Sequence, residues 1–263
     1  MEITDFIGYL GAFVIGIVLG LVGGGGSILT VPVLVYLFAV NPVTATGYSL
    51  FVVGVSSLVG TAKNLRSQLI GFKTGLAFGA PAVIAVYSAR KFIIPAIPEE
   101  LYSSSHFVLT RGTAIMVLFA MLMLISGVTM IAERKNLRPM PDSPRYALLL
   151  ILGFFTGILT GVVGAGGGFI IIPILVILAG LPMKKAVATS LFIIALNSLL
   201  GFLGDLGRIR IEWDFLLLFS SLAVAGIFLG SYLNRIIEGH KLKRGFGIFV
   251  LLMGVYIFWK EIL

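Results

Sequence analysis

Two glycine-rich runs 141 residues apart constrain this chain more than any other feature. Gly20-Leu21-Val22-Gly23-Gly24-Gly25-Gly26-Ser27, leading to Pro32, returns as Gly161-Val162-Val163-Gly164-Ala165-Gly166-Gly167-Gly168, leading to Pro173. Gly16, Ile17, Leu34, Val35 and Leu37 have identical partners at the same offset, and so do Ala45, Ser49, Leu50, Phe51, Ser57 and Gly60 further on. The chain is therefore a duplicated unit. A glycine-broken apolar segment present once in each half is the pointer to a transporter whose site lies between two repeats. The competing explanation is a duplicated membrane scaffold whose glycines serve only close helix packing.

A chain that is 59% hydrophobic and 11% charged, with mean hydropathy +1.11, lacks the polar surface a soluble globule presents to water. It belongs in a bilayer. Ten apolar segments are legible, at about 4–22, 27–40, 43–62, 72–95 and 110–132, then 146–163, 168–180, 184–204, 213–236 and 243–261. The second of each five is short, and residues 27–40 as helix reach only ~21 Å, so each glycine break joins either two crossings or a re-entrant pair. Both versions return the chain to the side it left.

Lys and Arg near helix ends prefer the cytoplasm. With ten strokes, the 19 basic residues divide 13 against 6, with Arg90, Lys91, Arg111, Arg208, Arg210 and Lys260 forming the smaller, outer set. If each glycine-broken pair crossed once, the division would be 10 against 9 and would specify no orientation. The expected fold class is thus an all-α integral membrane protein with two inverted-topology repeats of about five helical segments, each with a glycine-broken or re-entrant first helix pair. Residues 1–132 form the first transmembrane repeat, 133–145 a cytoplasmic basic linker and 146–263 the second. The expected location is the inner (plasma) membrane, multi-pass, with both termini outside. The net charge of +8 is mostly a topology signal, and a nucleic-acid partner is not expected.

Helices are expected to begin near Ile28 and Phe169, with Ser27 capping the first. The first N–H groups of a helix lack intrahelical partners and carry a partial positive charge. Two such openings facing each other near the midplane would bind an anion without a buried Lys or Arg, since each of those residues sits near an expected helix end. The candidate substrate-binding residues are Gly23, Gly24, Gly25, Gly26, Ser27, Gly164, Gly166, Gly167 and Gly168. Ser49, Ser190 and Asn197 join them from the third segments, which also carry Thr46, Tyr48, Ser56, Ser57, Thr189 and Ser198. Ser49 and Ser56, like Ser190 and Asn197, are seven apart, which places each pair on about one helix face. Such hydroxyls also bond back to their own helix. Asn64 and Asp205 fall at equivalent helix ends and are expected at the interface, and Pro32, Pro81 and Pro173 are candidate kinks.

With no cysteine and only His106 and His240, neither a disulfide framework nor a metal site is expected. No set of nucleophile, base or metal ligands falls inside the segments, so no catalytic residue and no cofactor is expected. The expected partners are a small anion, the lipid bilayer and, at most, further copies of the chain in a homo-oligomer.

These glycine motifs with Pro32 and Pro173, and the Ala-Thr-Ser-Leu-Phe run from Ala188 to Phe192, resemble the sulfite exporter TauE/SafE family over nearly the whole chain. The first repeat departs from the pattern at Gly47-Tyr48-Ser49, opposite Ala188-Thr189-Ser190. The resemblance implies a multi-pass permease for small sulfur-containing anions such as sulfite or organosulfonates. An ion or proton channel and a non-transporting membrane partner are the alternatives, although no mid-membrane carboxylate stands out as a proton relay.

Overall fold

The computed structural model describes residues 3–103, 108–131, 145–233 and 239–262. The linker at 133–145 falls outside them except for Arg145. The first half contains α1 (Ile3–Val22), a 3-10 turn (Gly23–Leu29), α2 (Thr30–Tyr36), α3 (Pro42–Arg66), α4 (Phe72–Ser88), a π-turn (Ala89–Ile93) running into α5 (Ile94–Ala96), and α6 (Arg111–Ile131). The second half contains α7 (Tyr146–Val163), α8 (Gly168–Ile177), α9 (Met183–Leu203), α10 (Trp213–Leu233) and α11 (Gly239–Ile262). Between α5 and α6 lies a short antiparallel hairpin of β1 (Glu100–Ser103) and β2 (Val108–Thr110).

Among the described residues eight stretches are long and apolar enough to cross a membrane, and the first, Phe6–Tyr36, runs unbroken through the glycines by length alone. The packing shows that the chain reverses there. Gly26 sits against Leu19, Gly11 against Val33 and Gly8 against Phe38, and the Tyr9 and Phe38 rings are 5.3 Å apart. One continuous helix would hold residues 8 and 38 ~45 Å apart. Gly23, at φ +74°, ends α1 in the left-handed conformation that only glycine adopts without cost. Gly164, at φ +75°, ends α7 in the same way.

Small residues set how the long helices meet. Gly16 lies on Ala223 and Gly20 on Ile227, while Gly226 and Gly230 of α10 lie on Phe13 and Ile17. A Cβ on Gly226 or Gly230 would come within 2.1 Å of an α1 carbonyl oxygen, so α1 and α10 run parallel with touching backbones. Gly153, Gly157 and Gly161 of α7 pack in the same way along Phe78, Ala82 and Val86 of α4. At the centre α3 and α9 run antiparallel, with Gly47 beside Asp205, Gly54 beside Leu199 and Gly60 beside Leu191. α6 and α11 are also antiparallel, with Gly127 on Leu251 and Gly254 on Met123.

Exchanging each residue for its equivalent in the other half carries these contacts onto one another. Gly16 on Ala223 becomes Gly157 on Ala82, Gly20 on Ile227 becomes Gly161 on Val86, and Gly60 on Leu191 becomes Gly201 on Leu50. The outward faces carry large apolar side chains, including Phe6, Ile84, Ile125, Phe155, Leu252 and Trp259. A surface of this kind is solvated by lipid. The protein is an all-α, multi-pass integral membrane protein.

Candidate functional site

The two glycine runs meet at the centre of the molecule. A Cβ placed on Gly168 would lie 2.2 Å from Gly24 Cα, and one on Gly24 would lie 2.5 Å from Gly168 Cα. The equivalent contact joins Ser27 to Ala165: the buried Ser27 hydroxyl reaches the Gly24 carbonyl at 2.7 Å and the Ala165 carbonyl across the interface. Ser27 therefore does not cap a helix. It lies within the 3-10 turn, and α2 begins at Thr30, preceded by Leu29 with no side-chain cap. Tight 3-10 turning is what four successive glycines permit between two antiparallel apolar strokes. Gly23 packs on Val187 and its equivalent Gly164 on Thr46, so each loop also rests on the start of the other half's central helix.

The polar residues of α3 and α9 fall into three groups. Thr46 and Ser190 donate to carbonyls of their own helix, Val43 O and Val187 O, both at 2.8 Å. Tyr48 and Thr189 tie elements together. The Tyr48 hydroxyl donates to Arg210 O at 3.1 Å and accepts from Glu212 N at 2.8 Å, and Thr189 Oγ1 accepts from Gly71 N at 2.9 Å. Ser49, Ser56, Ser57, Asn197 and Ser198 are buried with no hydrogen-bond partner for their side-chain polar atoms. Asn197 lacks one for both its oxygen and its nitrogen. An unpaired carboxamide in a membrane interior is costly, and such groups mark pathways or ligand contacts. Ser198 Oγ faces the second glycine loop, 3.2 Å from where a Cβ of Gly166 would lie.

A different residue departs most from the sequence-based picture. Arg90, in the π-turn, is fully buried, and its guanidinium lies 3.4 Å from the Asp205 carboxylate. Asp205 lies just past the end of α9 and is buried in the packing, and burial pushes its carboxyl up from the usual range against the downward pull of Arg90 and Arg208. A buried basic residue is thus present after all, beside the end of α9 and the start of α3. Its position inside the 72–95 apolar run is the signal that could have found it, because a stroke that continues to Ala96 carries Arg90 inside the packed bundle.

At the same end a cavity of about 420 Å³ lies between Phe38, Asn41, Thr44, Tyr48, Arg210 and Phe215. Among the described residues no three of His, Cys, Asp and Glu gather where a metal ion would need them.

Residues 9–257 match the family described as "Sulfite exporter TauE/SafE". The chain belongs to the TauE/SafE family. A "Probable membrane transporter protein" of Xylella fastidiosa (strain 9a5c) is 28% identical over 256 residues, covering 94% of this chain and 92% of the relative. The "Probable membrane transporter protein YunE" of Bacillus subtilis (strain 168) is 28% identical over 276 residues, covering 95% of this chain and 99% of that protein. Another, MJ0441 of Methanocaldococcus jannaschii, is 28% identical over 200 residues, 74% of this chain and 69% of the relative. No solved structure matches. Membership of TauE/SafE and the names of these relatives make the chain a membrane transporter.

Proposed function

We propose that this TauE/SafE protein is a permease for small sulfur-containing anions such as sulfite or organosulfonates, working by alternating access around a site between its two halves. The observation that carries the reading is the meeting of the two glycine breaks at Gly24 and Gly168, flanked by central helices that bury Ser49, Ser56, Ser57, Asn197 and Ser198 without partners. Backbone N–H groups of Gly23–Gly26 and Ser27, and of Gly164 and Gly166–Gly168, would supply the positive end of the site. Ser49 and Asn197 would supply side-chain donors. Ser190, whose proton is engaged by Val187 O, would bind only after turning from its own helix.

The loops abut here with no space for even a methyl group at Gly24 or Gly168. Admission of an anion therefore requires the halves to part. Antiparallel pairing of the equivalent helices α3 and α9, and of α6 and α11, supports an inverted repeat whose halves exchange conformations to open first one face and then the other. The proposed setting is the inner membrane with both termini outside. No catalytic step is needed.

Uptake by proteoliposomes offered sulfite, sulfate, sulfoacetate or thiosulfate tests the proposal. Saturable anion flux or counterflow is expected. Conduction of sodium or protons without anion-dependent flux would replace the permease with a channel.

A further inference from the structure

We propose that Arg90 is a direct ligand of the permeating oxyanion and that Asp205 is its resting counter-ion, displaced when the anion arrives. The inference rests on the anion-permease reading and adds to it the one cationic side chain that the described central packing buries. Guanidinium carries five N–H donors in a planar fork. In this structure Nε, Nη1 and Nη2 are all buried and none makes a hydrogen bond. The Asp205 contact, at 3.4 Å, is an ion pair out of line for hydrogen bonding.

A pair kept for stability would be expected to satisfy its donors, because an ill-matched buried pair returns less than its desolvation costs. A guanidinium held dry with its donors free is matched to a tetrahedral or pyramidal oxyanion, whose oxygens accept two parallel bonds. Close packing fixes its position. Gly204 lets the Arg90 stem pass, with a Cβ there only 2.8 Å from Arg90 Cβ, and Gly47 leaves the same 2.8 Å for Asp205 Oδ2. The π-turn that inserts Arg90 begins at Ala89, which packs on Gly161 at the end of α7, one turn before the Gly164 bend. Thr46, which covers that bend, is the neighbour of Gly47. The pair therefore lies where α4 and α9 finish, next to the residues that pack on the end of α7 and on the Gly164 bend.

The equivalents of Arg90 and Asp205 in the other half are Ser231 and Asn64, both uncharged. Charge exchange is thus built into one face only.

The double variant Arg90→Gln/Asp205→Asn removes both charges and leaves two amides of similar size, so neither side chain is stranded as a buried ion. In proteoliposomes it is expected to raise the KM for sulfite or sulfoacetate ~10-fold or more, the loss of charged hydrogen bonds, with Arg90→Lys intermediate because it keeps the charge without the fork. Asp205→Asn alone should do the opposite. With the competing carboxylate gone, added sulfite should raise its melting temperature more than that of the unmodified protein at the same concentration. If the double variant transports with unchanged KM, or if Asp205→Asn shows no larger sulfite-induced shift, Arg90 is not an anion ligand and the permease reading stands without it. If the unmodified protein carries no anion of the panel, both fall.

Discussion

At the scale of single residues, the central glycines divide by how much room each has, and that division separates packing from ligand approach. Gly166 has φ +64°, and a Cβ there would lie 2.8 Å from Val53 Cγ1. Gly166→Val should therefore lose folded protein, through backbone strain of ~1–2 kcal/mol and overpacking of ~1–3 kcal/mol. Gly25 has no positive φ, and its nearest neighbour would be the Val22 side chain at 3.1 Å. Gly25→Ala should remain folded and monodisperse by size exclusion in detergent. If the glycine backbone receives the anion, that variant should still lose transport. A folded Gly25→Ala with full flux would leave the first loop with a packing role alone. Asn197 allows the converse test. Its carboxamide has no partner to lose, so Asn197→Ala should cost little beyond the cavity it leaves, while anion affinity falls by ~1.5–3 kcal/mol if the amide touches the ligand. Parallel thermal melts and flux titrations read the two effects separately.

At the scale of elements, the reversal after α1 decides how the chain is threaded, and it can be tested covalently because the chain has no cysteine of its own. A Cβ on Gly11 would lie 3.3 Å from Val33 Cγ1, which brings the pair within disulfide reach. Gly11→Cys/Val33→Cys should therefore cross-link on mild oxidation. In one continuous helix the two positions would be ~33 Å apart and no bond could form. Here the sequence was highly informative, since the long strokes of both halves begin and end within a few residues of their apolar runs. Periodicity and length mark where hydrocarbon is crossed, and a run of glycines marks a break. What was not legible depends on the neighbours of a segment. The 3-10 turn runs on to Leu29, and its Gly24 packs on Gly168, a contact that belongs to the fold and not to the local sequence. The β1–β2 hairpin is set by pairing of Glu100 with Thr110 in a stretch with no strong strand pattern. Arg90 carries a charge that suits a helix end, and although its place inside the 72–95 apolar run hints at burial, its pairing with Asp205 beside Gly204 and Gly47 was not legible. Which hydroxyls bond locally was equally hidden, because Ser49 and Ser190 are equivalent in sequence, yet only Ser190 spends its proton on its own helix.

At the scale of the whole molecule, packing and charge bear on the same question by independent routes. The direction of every long helix follows from its neighbours: α1 runs with α10, α4 with α7, and α3 and α6 against α9 and α11. These directions put the start of α1, the β1–β2 hairpin and the α9–α10 turn at one end. The start of α9 and the α3–α4 turn lie at the other. Among the described residues the basic ones divide along the same line, nine at the second end against six at the first, and the positive-inside rule predicts that the richer end is cytoplasmic. Glu100 and Lys184 are exposed at opposite ends, so Glu100→Cys and Lys184→Cys test the orientation with one new thiol each. In intact cells a membrane-impermeant maleimide should label Glu100→Cys and spare Lys184→Cys until the membrane is permeabilised. Reversed labelling would turn the molecule over and place the Arg90–Asp205 pair on the cytoplasmic face. Labelling of both from outside would mean that the two ends do not lie on opposite sides of the bilayer, and the two-sided exchange that alternating access requires would be lost with them.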